Sequence, residues 1–158
     1  MNAAVIPDIH FSTFLPARTA TPERIPWVAL GSGRSFKPLR FFADDRGFVE
    51  LLRLEPGTAI PLHRHTGEVH AYNVQGSRRL NTGELIGPGD YVHEPAGNVD
   101  AWAVVGDEAL IVLVVVMGAV EYLDAAGAVT GRYTASGLLD LYRQHCTATG
   151  IAVVDLIG

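Results

Sequence analysis

Short runs of β-forming residues, separated by turns rich in Gly and Pro, recur from residue 48 to residue 117. Such regular spacing of short strands is typical of an all-β sandwich or barrel. The predicted strands cover residues 48–54, 58–65, 69–75, 77–81, 91–94, 99–105 and 109–117. The apolar run from Ala109 to Val120 is shorter than the roughly twenty residues that a membrane helix needs, so we interpret it as a buried strand. The sequence therefore predicts an all-β fold.

The two ends of the chain differ from this repeated pattern. Residues 1–25 contain several prolines and little periodicity, which predicts an extended N-terminal arm in front of a single domain at 26–158. Pro38 interrupts the β run 36–42, and we expect an edge or irregular strand there because proline cannot donate a ladder hydrogen bond.

The last part of the chain is predicted to contain a hairpin and a helix. Residues 120–123 and 129–133 flank a turn centred on Gly127. Apolar residues then recur at helical spacing, with Ser136 as the expected N-cap and Gly150 as the expected end. The periodic positions are Leu138, Leu141, Tyr142, His145 and Cys146. We expect this helix to pack on the outside of the barrel.

Composition excludes several classes of function. A length of 158 residues fits one domain. A net charge of −5 argues against nucleic acid or an anionic membrane as a partner. Cys146 is the single cysteine, so no internal disulfide forms, and with no secretory leader at the start we predict a reducing, cytoplasmic location. The adjacent basic pair Arg78 and Arg79 is interpreted as a solvated edge.

Three of the six histidines, His63, His65 and His70, fall within eight residues. Side chains two apart on a strand point to the same side, so His63 and His65 are expected to share one face. Two neighbouring neutral imidazoles can bind one iron, nickel, copper or zinc ion. A single His-x-His also occurs by chance, so the interpretation depends on the surrounding sequence.

That surrounding sequence resembles the cupin superfamily. Gly57, His63, His65 and His70 are similar in spacing to the first cupin motif, in which a glutamate normally stands where His70 does. The segment from Pro88 to Asp100 contains the turns Pro88-Gly89-Asp90 and Pro95-Ala96-Gly97 and is similar to the second cupin motif. In that motif a histidine normally stands where Asp100 does. Phrases such as LLRLEPGTAIPLHRHTGEVHAY and YVHEPAG resemble the 2,4'-dihydroxyacetophenone dioxygenase family of single-domain cupins.

The resemblance implies a jelly-roll barrel, the double-stranded β-helix of the cupins, with a mononuclear Fe(II) centre. Enzymes of this kind cleave a carbon–carbon bond of a hydroxyketone or diketone with O₂. The family's fourth ligand, a glutamate, aligns with Thr82 here, and Glu84 follows two positions along.

We predict that His63, His65, His70 and Asp100 point into the barrel and hold one divalent transition metal. Two histidines and a carboxylate favour Fe(II), although zinc or nickel would accept the same ligands. In addition, a buried Asp100 needs a cation or a donor, because an unpaired buried carboxylate is costly. The alternative is a degenerate pocket without metal, in which His70 only forms hydrogen bonds.

Other side chains are assigned more ordinary roles. Arg53, Tyr72 and Trp102 are candidates for the substrate pocket. For Arg53 a solvated outer face is the favoured alternative, and core packing explains the two aromatic residues equally well. His93 is interpreted as a surface residue, and His10 and His145 as structural residues. Cys146 is interpreted as a packed thiol.

The function predicted from the sequence is a metal-dependent dioxygenase for a small hydroxyketone or diketone, acting as a homodimer. The first alternative is a non-catalytic cupin that binds a metal or a small molecule, because two of the family's ligand positions are substituted. A metal-free isomerase acting on an activated sugar is a third alternative, disfavoured because the predicted pocket is acidic.

Overall fold

The computed structural model describes residues 22–158. Residues 1–21 of the predicted N-terminal arm, which include His10, lie outside the described residues. The described chain forms twelve strands followed by one α-helix. The strands are β1 (Val28–Gly31), β2 (Arg34–Phe42), β3 (Gly47–Leu54), β4 (Ala59–His65), β5 (Val69–Gln75), β6 (Ser77–Leu80), β7 (Leu85–Ile86), β8 (Tyr91–Glu94), β9 (Val99–Val105), β10 (Leu110–Met117), β11 (Val120–Leu123) and β12 (Val129–Tyr133). The helix, α1, spans Ala135–Thr149.

The strands form two six-stranded antiparallel sheets. One sheet has the order β1-β2-β3-β10-β5-β8 and the other has the order β12-β11-β4-β9-β6-β7. The apolar run of the sequence becomes β10, which lies between β3 and β5 in the interior of its sheet. The prediction of an all-β architecture with a C-terminal helix is therefore confirmed, and so is the prediction of a buried strand.

Strand β2 contains the predicted residues 36–42 and is irregular near Pro38. It lies between β1 and β3, so it is not an edge strand. The register with β3 shifts between Pro38 and Arg40. Such an irregularity accommodates a proline, which has no N–H to donate to the neighbouring strand. The prediction of an edge or irregular strand is therefore confirmed, because the strand is irregular at Pro38 although it is not at the edge of the sheet.

Helix α1 begins two residues earlier than predicted. Thr134 is the N-cap, and its hydroxyl oxygen accepts a hydrogen bond from the backbone N–H of Gly137. The predicted cap, Ser136, instead donates its backbone N–H and its hydroxyl to Asp45, 91 residues earlier in the chain. Gly150 ends the helix in the left-handed conformation, as predicted.

One face of α1 is buried against the barrel. Ala135, Leu138, Tyr142 and Cys146 are buried, and the helix packs on β1 and β2. The predicted core position Leu141 is 37% exposed. Within residues 22–158, no helix combines the length and the apolar character needed to cross a bilayer.

Two apolar clusters hold the sheets together and leave a space between them. One cluster surrounds Phe36, Phe48 and Tyr142 near the helix, and the other surrounds Leu54 and Leu110. Alternation along each strand sends every second side chain between the sheets. The space enclosed there is the cavity in which the functional side chains meet.

Candidate metal and ligand site

A cavity of about 700 Å³, counted with its open mouth, lies between the two sheets. Its wall is mostly apolar and includes side chains from β3, β5, β9 and β10, together with Leu138 of the helix. The polar residues of the wall are Arg34, Glu50, His63, His65, Arg78, Glu94, Tyr122 and Tyr133. A largely apolar cavity with a few polar groups is the usual form of a small-molecule site.

His63 and His65 both point into this cavity from β4, and both are buried. Their ring centroids lie 4.9 Å apart in an edge-to-face arrangement. The Nδ1 atom of His63 lies 2.8 Å from the carbonyl oxygen of Pro61, which can only accept, so Nδ1 carries the proton. Nε2 therefore keeps its lone pair, the state in which a histidine binds a metal.

Burial keeps the His63 ring neutral. It lowers the pKa of His63, and this effect outweighs the hydrogen bond to Pro61, which raises the pKa. A neutral imidazole is a better metal ligand than an imidazolium ion, because the lone pair is not protonated.

Glu94, at the end of β8, is a buried member of the site that the sequence did not reveal. Its Oε2 atom lies 3.2 Å from Nε2 of His65 and accepts a hydrogen bond of 3.0 Å from Nδ2 of Asn98. Burial alone would raise the pKa of Glu94, but hydrogen bonds from His65 and Asn98 outweigh it and lower the pKa to about 2. Glu94 is therefore a carboxylate at neutral pH.

Asp100 is buried next to this group but is not part of the cavity wall. It shares the inward face of β9 with Trp102 and Val104, as predicted, and lies opposite His63 in the β4–β9 register. Its Oδ1 accepts a 2.7 Å hydrogen bond from the backbone N–H of Ala101. Burial raises the pKa of Asp100, although that hydrogen bond acts in the opposite direction.

Arg78 supplies a buried positive charge at the same wall. Its guanidinium carbon lies 4.7 Å from the centroid of the Trp102 ring, a distance typical of a cation–π contact. The Nε and Nη2 atoms of Arg78 are buried and have no hydrogen-bond partner in the protein. Burial lowers the pKa of Arg78, and the charges of Glu94 and Asp100 oppose this effect. The interpretation of Arg78 as a solvated edge residue is wrong, whereas the neighbouring Arg79 is exposed.

Glu50, on β3, is a second carboxyl group in the cavity with different chemistry. Its Oε2 atom is buried without a hydrogen-bond partner. Burial raises the pKa of Glu50 to about 8, so this group is a neutral acid near pH 7. Burial likewise raises the pKa of Tyr122 to about 12, which keeps its hydroxyl protonated as a donor.

His70 and Tyr72 are on the opposite side of β5 from the cavity. Val69 and Ala71 are the cavity-lining residues of this strand, whereas Tyr72 is 47% exposed. The two side chains do share a face, as predicted, but that face is the outer surface. The structure therefore does not bring His70 together with His63, and Tyr72 is not in the cavity.

Two further candidates also lie outside the cavity. Glu50 and Leu52 are the positions of β3 that face the cavity, so Arg53 lies on the other side of the strand. Arg53 is partly exposed and forms a 3.1 Å ion pair with Glu55. Thr82 and Glu84 are exposed in the turn between β6 and β7. Of the three pocket candidates, only Trp102 lines the cavity.

On the outer surface, His70 is close to His93 and Glu68. Each of these three residues offers one ligand atom, and the three atoms all lie within 4.8 Å of one another. Among residues 22–158, this is the group of His, Cys, Asp or Glu side chains that is close enough to hold one metal ion. The interior residues His63, His65 and Glu94 are more widely spaced than this. A His/Glu cluster that could bind a metal is therefore present, and it is not the predicted one.

The two-sheet barrel, with a His-x-His pair facing its cavity, defines a cupin. The sequence matches the family described as ChrR cupin-like domain over residues 17–121, and the chain belongs to this family. The cupin prediction is thus confirmed. No protein of curated function matches the chain.

Solved structures with similar folds are also cupins. An RmlC-like cupin protein from Ralstonia eutropha JMP134 has a TM-score of 0.86 and 24% identity, covering 95% of this chain and 99% of that one. An acetylacetone dioxygenase from Acinetobacter johnsonii has a TM-score of 0.70 and 12% identity, covering 90% and 99%. The anti-sigma protein ChrR, in complex with SigE from Rhodobacter sphaeroides, has a TM-score of 0.50 and 23% identity, covering 58% and 49%. These likenesses show the shared fold.

Proposed function

We propose that this cupin is a metal-dependent dioxygenase that cleaves a carbon–carbon bond of a small hydroxyketone or diketone in its barrel. The observation that carries the proposal is the pair of buried imidazoles, His63 and His65, beside the ionised carboxylate of Glu94 in an apolar cavity. Two histidines and one carboxylate are the ligand set that suits Fe(II) with open positions for O₂ chemistry. Asp100, predicted as the carboxylate ligand, would then act next to the site as a buried negative charge.

The donor atoms fit a divalent metal in their chemistry. Two ligand atoms about 2.1 Å from one ion lie about 3.0 Å apart at an angle of about 90° and about 3.4 Å apart at the tetrahedral angle, and the 3.2 Å between Nε2 of His65 and Oε2 of Glu94 falls between these values. His63 presents a lone pair on Nε2, and a metal ion bound to Nε2 of His65 would replace the hydrogen bond between this nitrogen and Glu94. Because the three ligand atoms do not all lie within 4.8 Å of one another, at least one of these side chains must move to complete the set.

A bound Fe(II) ion would supply Lewis acidity and the capacity to react with O₂. The chain's own residues would bind and orient the substrate. Arg78 would donate from its two unpartnered nitrogen atoms, Nε and Nη2, to an enolate or carboxylate oxygen, since a guanidinium binds such oxygens strongly. The apolar wall would hold the hydrocarbon part of the substrate and exclude water.

The neutral polar groups of the cavity would complete substrate recognition. Protonated Glu50 and protonated Tyr122 would each offer an O–H donor to a carbonyl oxygen. Glu94, the carboxylate, would repel a free anion, so Arg78 would determine where a negatively charged oxygen binds. This arrangement supports an enolisable ketone with an apolar substituent as the substrate class.

The proposal is tested by metal analysis and O₂ consumption. Protein purified without chelators is expected to contain iron that is lost in His63→Ala and in the milder His63→Gln. Addition of Fe(II) and aromatic hydroxyketones or diketones is expected to cause O₂ uptake by the native chain. His145→Ala, on the helix away from the cavity, serves as the control and should keep both properties. Iron-loaded protein that consumes no O₂ with any of these compounds would contradict the dioxygenase proposal.

Replacement of Arg78 is expected to weaken binding of the ketone anion by about 10- to 100-fold, the usual effect of losing hydrogen bonds to a charged group. Arg78→Met removes both donors, and Arg78→Lys keeps the charge but loses the fork of N–H groups. Calorimetric titration of the metal-free protein measures the Kd. The neighbouring Arg79→Met is the matched control, because Arg79 is exposed and contacts the turn carbonyl of Gly83. Equal affinity in Arg78→Met and Arg79→Met would exclude this role.

A non-catalytic module that binds a metal or a small molecule is the second candidate. It is favoured by the wide spacing of the interior ligand atoms and by the family's relation to ChrR, whose solved structure is a complex with SigE. Tight zinc binding at His63 and His65, or stabilisation by an organic ligand, without O₂ uptake would support this candidate over the enzyme.

A further inference from the structure

The outer face of the β5–β8 pair contains a cluster of ligand-type side chains that the proposed function does not use. His70 of β5 and His93 of β8 are direct cross-strand partners in the register. Glu68 precedes β5 and extends towards both of them. Because the histidines belong to paired strands, their Cα positions are fixed by the sheet and not by a loop.

The position of Glu68 is fixed by close contact with β10. A Cβ atom on the preceding Gly67 would lie 2.3 Å from the carbonyl oxygen of Met117, so only glycine fits there. The carbonyl oxygen of Glu68 accepts a 2.9 Å hydrogen bond from the backbone N–H of Met117. The turn therefore presents the Glu68 carboxylate from a well-defined backbone.

The distances within the cluster match those between ligands of one small cation. Nε2 of His93 lies 3.3 Å from Oε2 of Glu68, and Nε2 of His70 lies 3.7 Å from Oε1. Ligand atoms of a tetrahedral zinc ion are about 3.4 Å apart. The two carboxylate oxygens thus each face one imidazole, and the two rings lie 5.0 Å apart between centroids.

Tyr91 supports the orientation of His70. Its hydroxyl oxygen lies 2.5 Å from Nδ1 of His70, and the two rings are stacked. When Nδ1–H donates to this oxygen, the lone pair on Nε2 faces Glu68 and His93. Ligating histidines commonly have such a partner on the second ring nitrogen.

We propose that Glu68, His70 and His93 form a surface site for a divalent transition metal of the zinc type. Two imidazoles exclude magnesium and calcium as natural occupants, since those ions prefer oxygen ligands. Three protein ligands leave a fourth position open to solvent, because the side chains are 53%, 39% and 45% exposed. The site is separate from the cavity, since Val69 and Ala71 face the cavity from the other side of the same strand.

The experiment is a zinc titration of the metal-stripped full chain, with bound zinc counted after equilibrium dialysis. His93→Ala and Glu68→Gln are expected to bind one zinc equivalent less than the native chain. His63→Ala should retain the surface equivalent, so failure of this site and failure of the cavity site give different results. His145→Ala is the control for a surface histidine outside the cluster. Unchanged zinc stoichiometry in His93→Ala and Glu68→Gln would overturn the proposal.

A second variant tests the orienting contact without removing a ligand. Tyr91→Phe is expected to weaken zinc binding at the surface site by about tenfold, the lower end of the effect of losing such a partner. Tyr72→Phe, an exposed tyrosine on β5 that is the cross-strand partner of Tyr91, is the matched control and should leave the affinity unchanged. Equal affinities for the two variants would show that the contact with Tyr91 does not support the site.

Discussion

Replacement of Glu50 by glutamine is expected to remove the loss of stability that ionisation of this residue causes in the metal-free protein between about pH 5 and pH 8. Burial raises the pKa of Glu50 from 4.5 to about 8, so the folded protein keeps a proton that the unfolded chain releases. The stability from this proton is complete below about pH 4.5 and is lost as the pH rises towards 8. Over this range the wild type should lose about 3 to 4 kcal/mol relative to Glu50→Gln.

Urea denaturation at the two pH values measures this difference in the free energy of unfolding. The low pKa of Glu94 affects stability below pH 4.5, where this carboxylate takes up its proton, so it does not overlap with the effect of Glu50. His63, whose pKa is lowered, titrates in both proteins and cancels in the comparison. Glu84→Gln, at an exposed carboxylate, is the control and should retain the wild-type pH dependence. Parallel curves for wild type and Glu50→Gln would contradict the prediction.

Gly47→Ala is expected to lower the free energy of unfolding by about 4 kcal/mol, because it combines backbone strain with a steric clash. Gly47 begins β3 with a φ of 140°, which other residues rarely adopt. A Cβ atom there would lie 2.1 Å from the carbonyl oxygen of Val116 in β10. The backbone of one of the two strands must therefore move, and β3 carries Phe48 and Glu50 into the cavity.

Two other glycines separate the causes of this loss. Gly57 also has a positive φ, of 78°, but no atom lies within 4 Å of a Cβ built there, so Gly57→Ala should show the conformational cost alone. Gly131 has neither feature, and Gly131→Ala should be close to neutral. Chemical denaturation of the three variants tests this order. A Gly47→Ala variant as stable as Gly57→Ala would exclude the clash as a cause.

The architecture could be predicted because it depends on local patterns. Alternation of apolar residues and the position of Gly and Pro turns are visible in any short window, and they predict strands without knowledge of the neighbours. His63 and His65 were placed correctly relative to each other for the same reason, since two residues two apart share a face in any strand.

The side of the sheet on which a strand places its residues could not be predicted from the same pattern. In β5 the sequence correctly grouped His70 with Tyr72, but the choice between inside and outside depends on a single residue of register. That register is visible only in the pairing of β5 with β10, in which Val69 lies opposite Val116. Pairing between β6 and β9 likewise turns Arg78 inward and leaves Arg79 outside.

The protonation states in the cavity also depend on contacts that are distant in sequence. Glu50 and Glu94 are both buried glutamates, and no local motif distinguishes them. Glu94 meets His65 from another strand and becomes an anion, whereas Glu50 meets an apolar wall and stays neutral. Only the folded chain shows that one carboxyl group could bind a cation and the other could donate a hydrogen bond.

The contact between Arg78 and Trp102 allows the fluorescence of Trp102 to report what occupies the barrel. The chain has two tryptophans, and Trp27 lies outside the cavity, with Nζ of Lys37 5.2 Å from its ring centroid. Indole emission is sensitive to nearby charge, so a molecule that draws the guanidinium away from Trp102 changes the light that this ring emits. A chain carrying Trp27→Phe therefore lets occupancy of the barrel be followed spectroscopically, without a label and before any substrate has been identified.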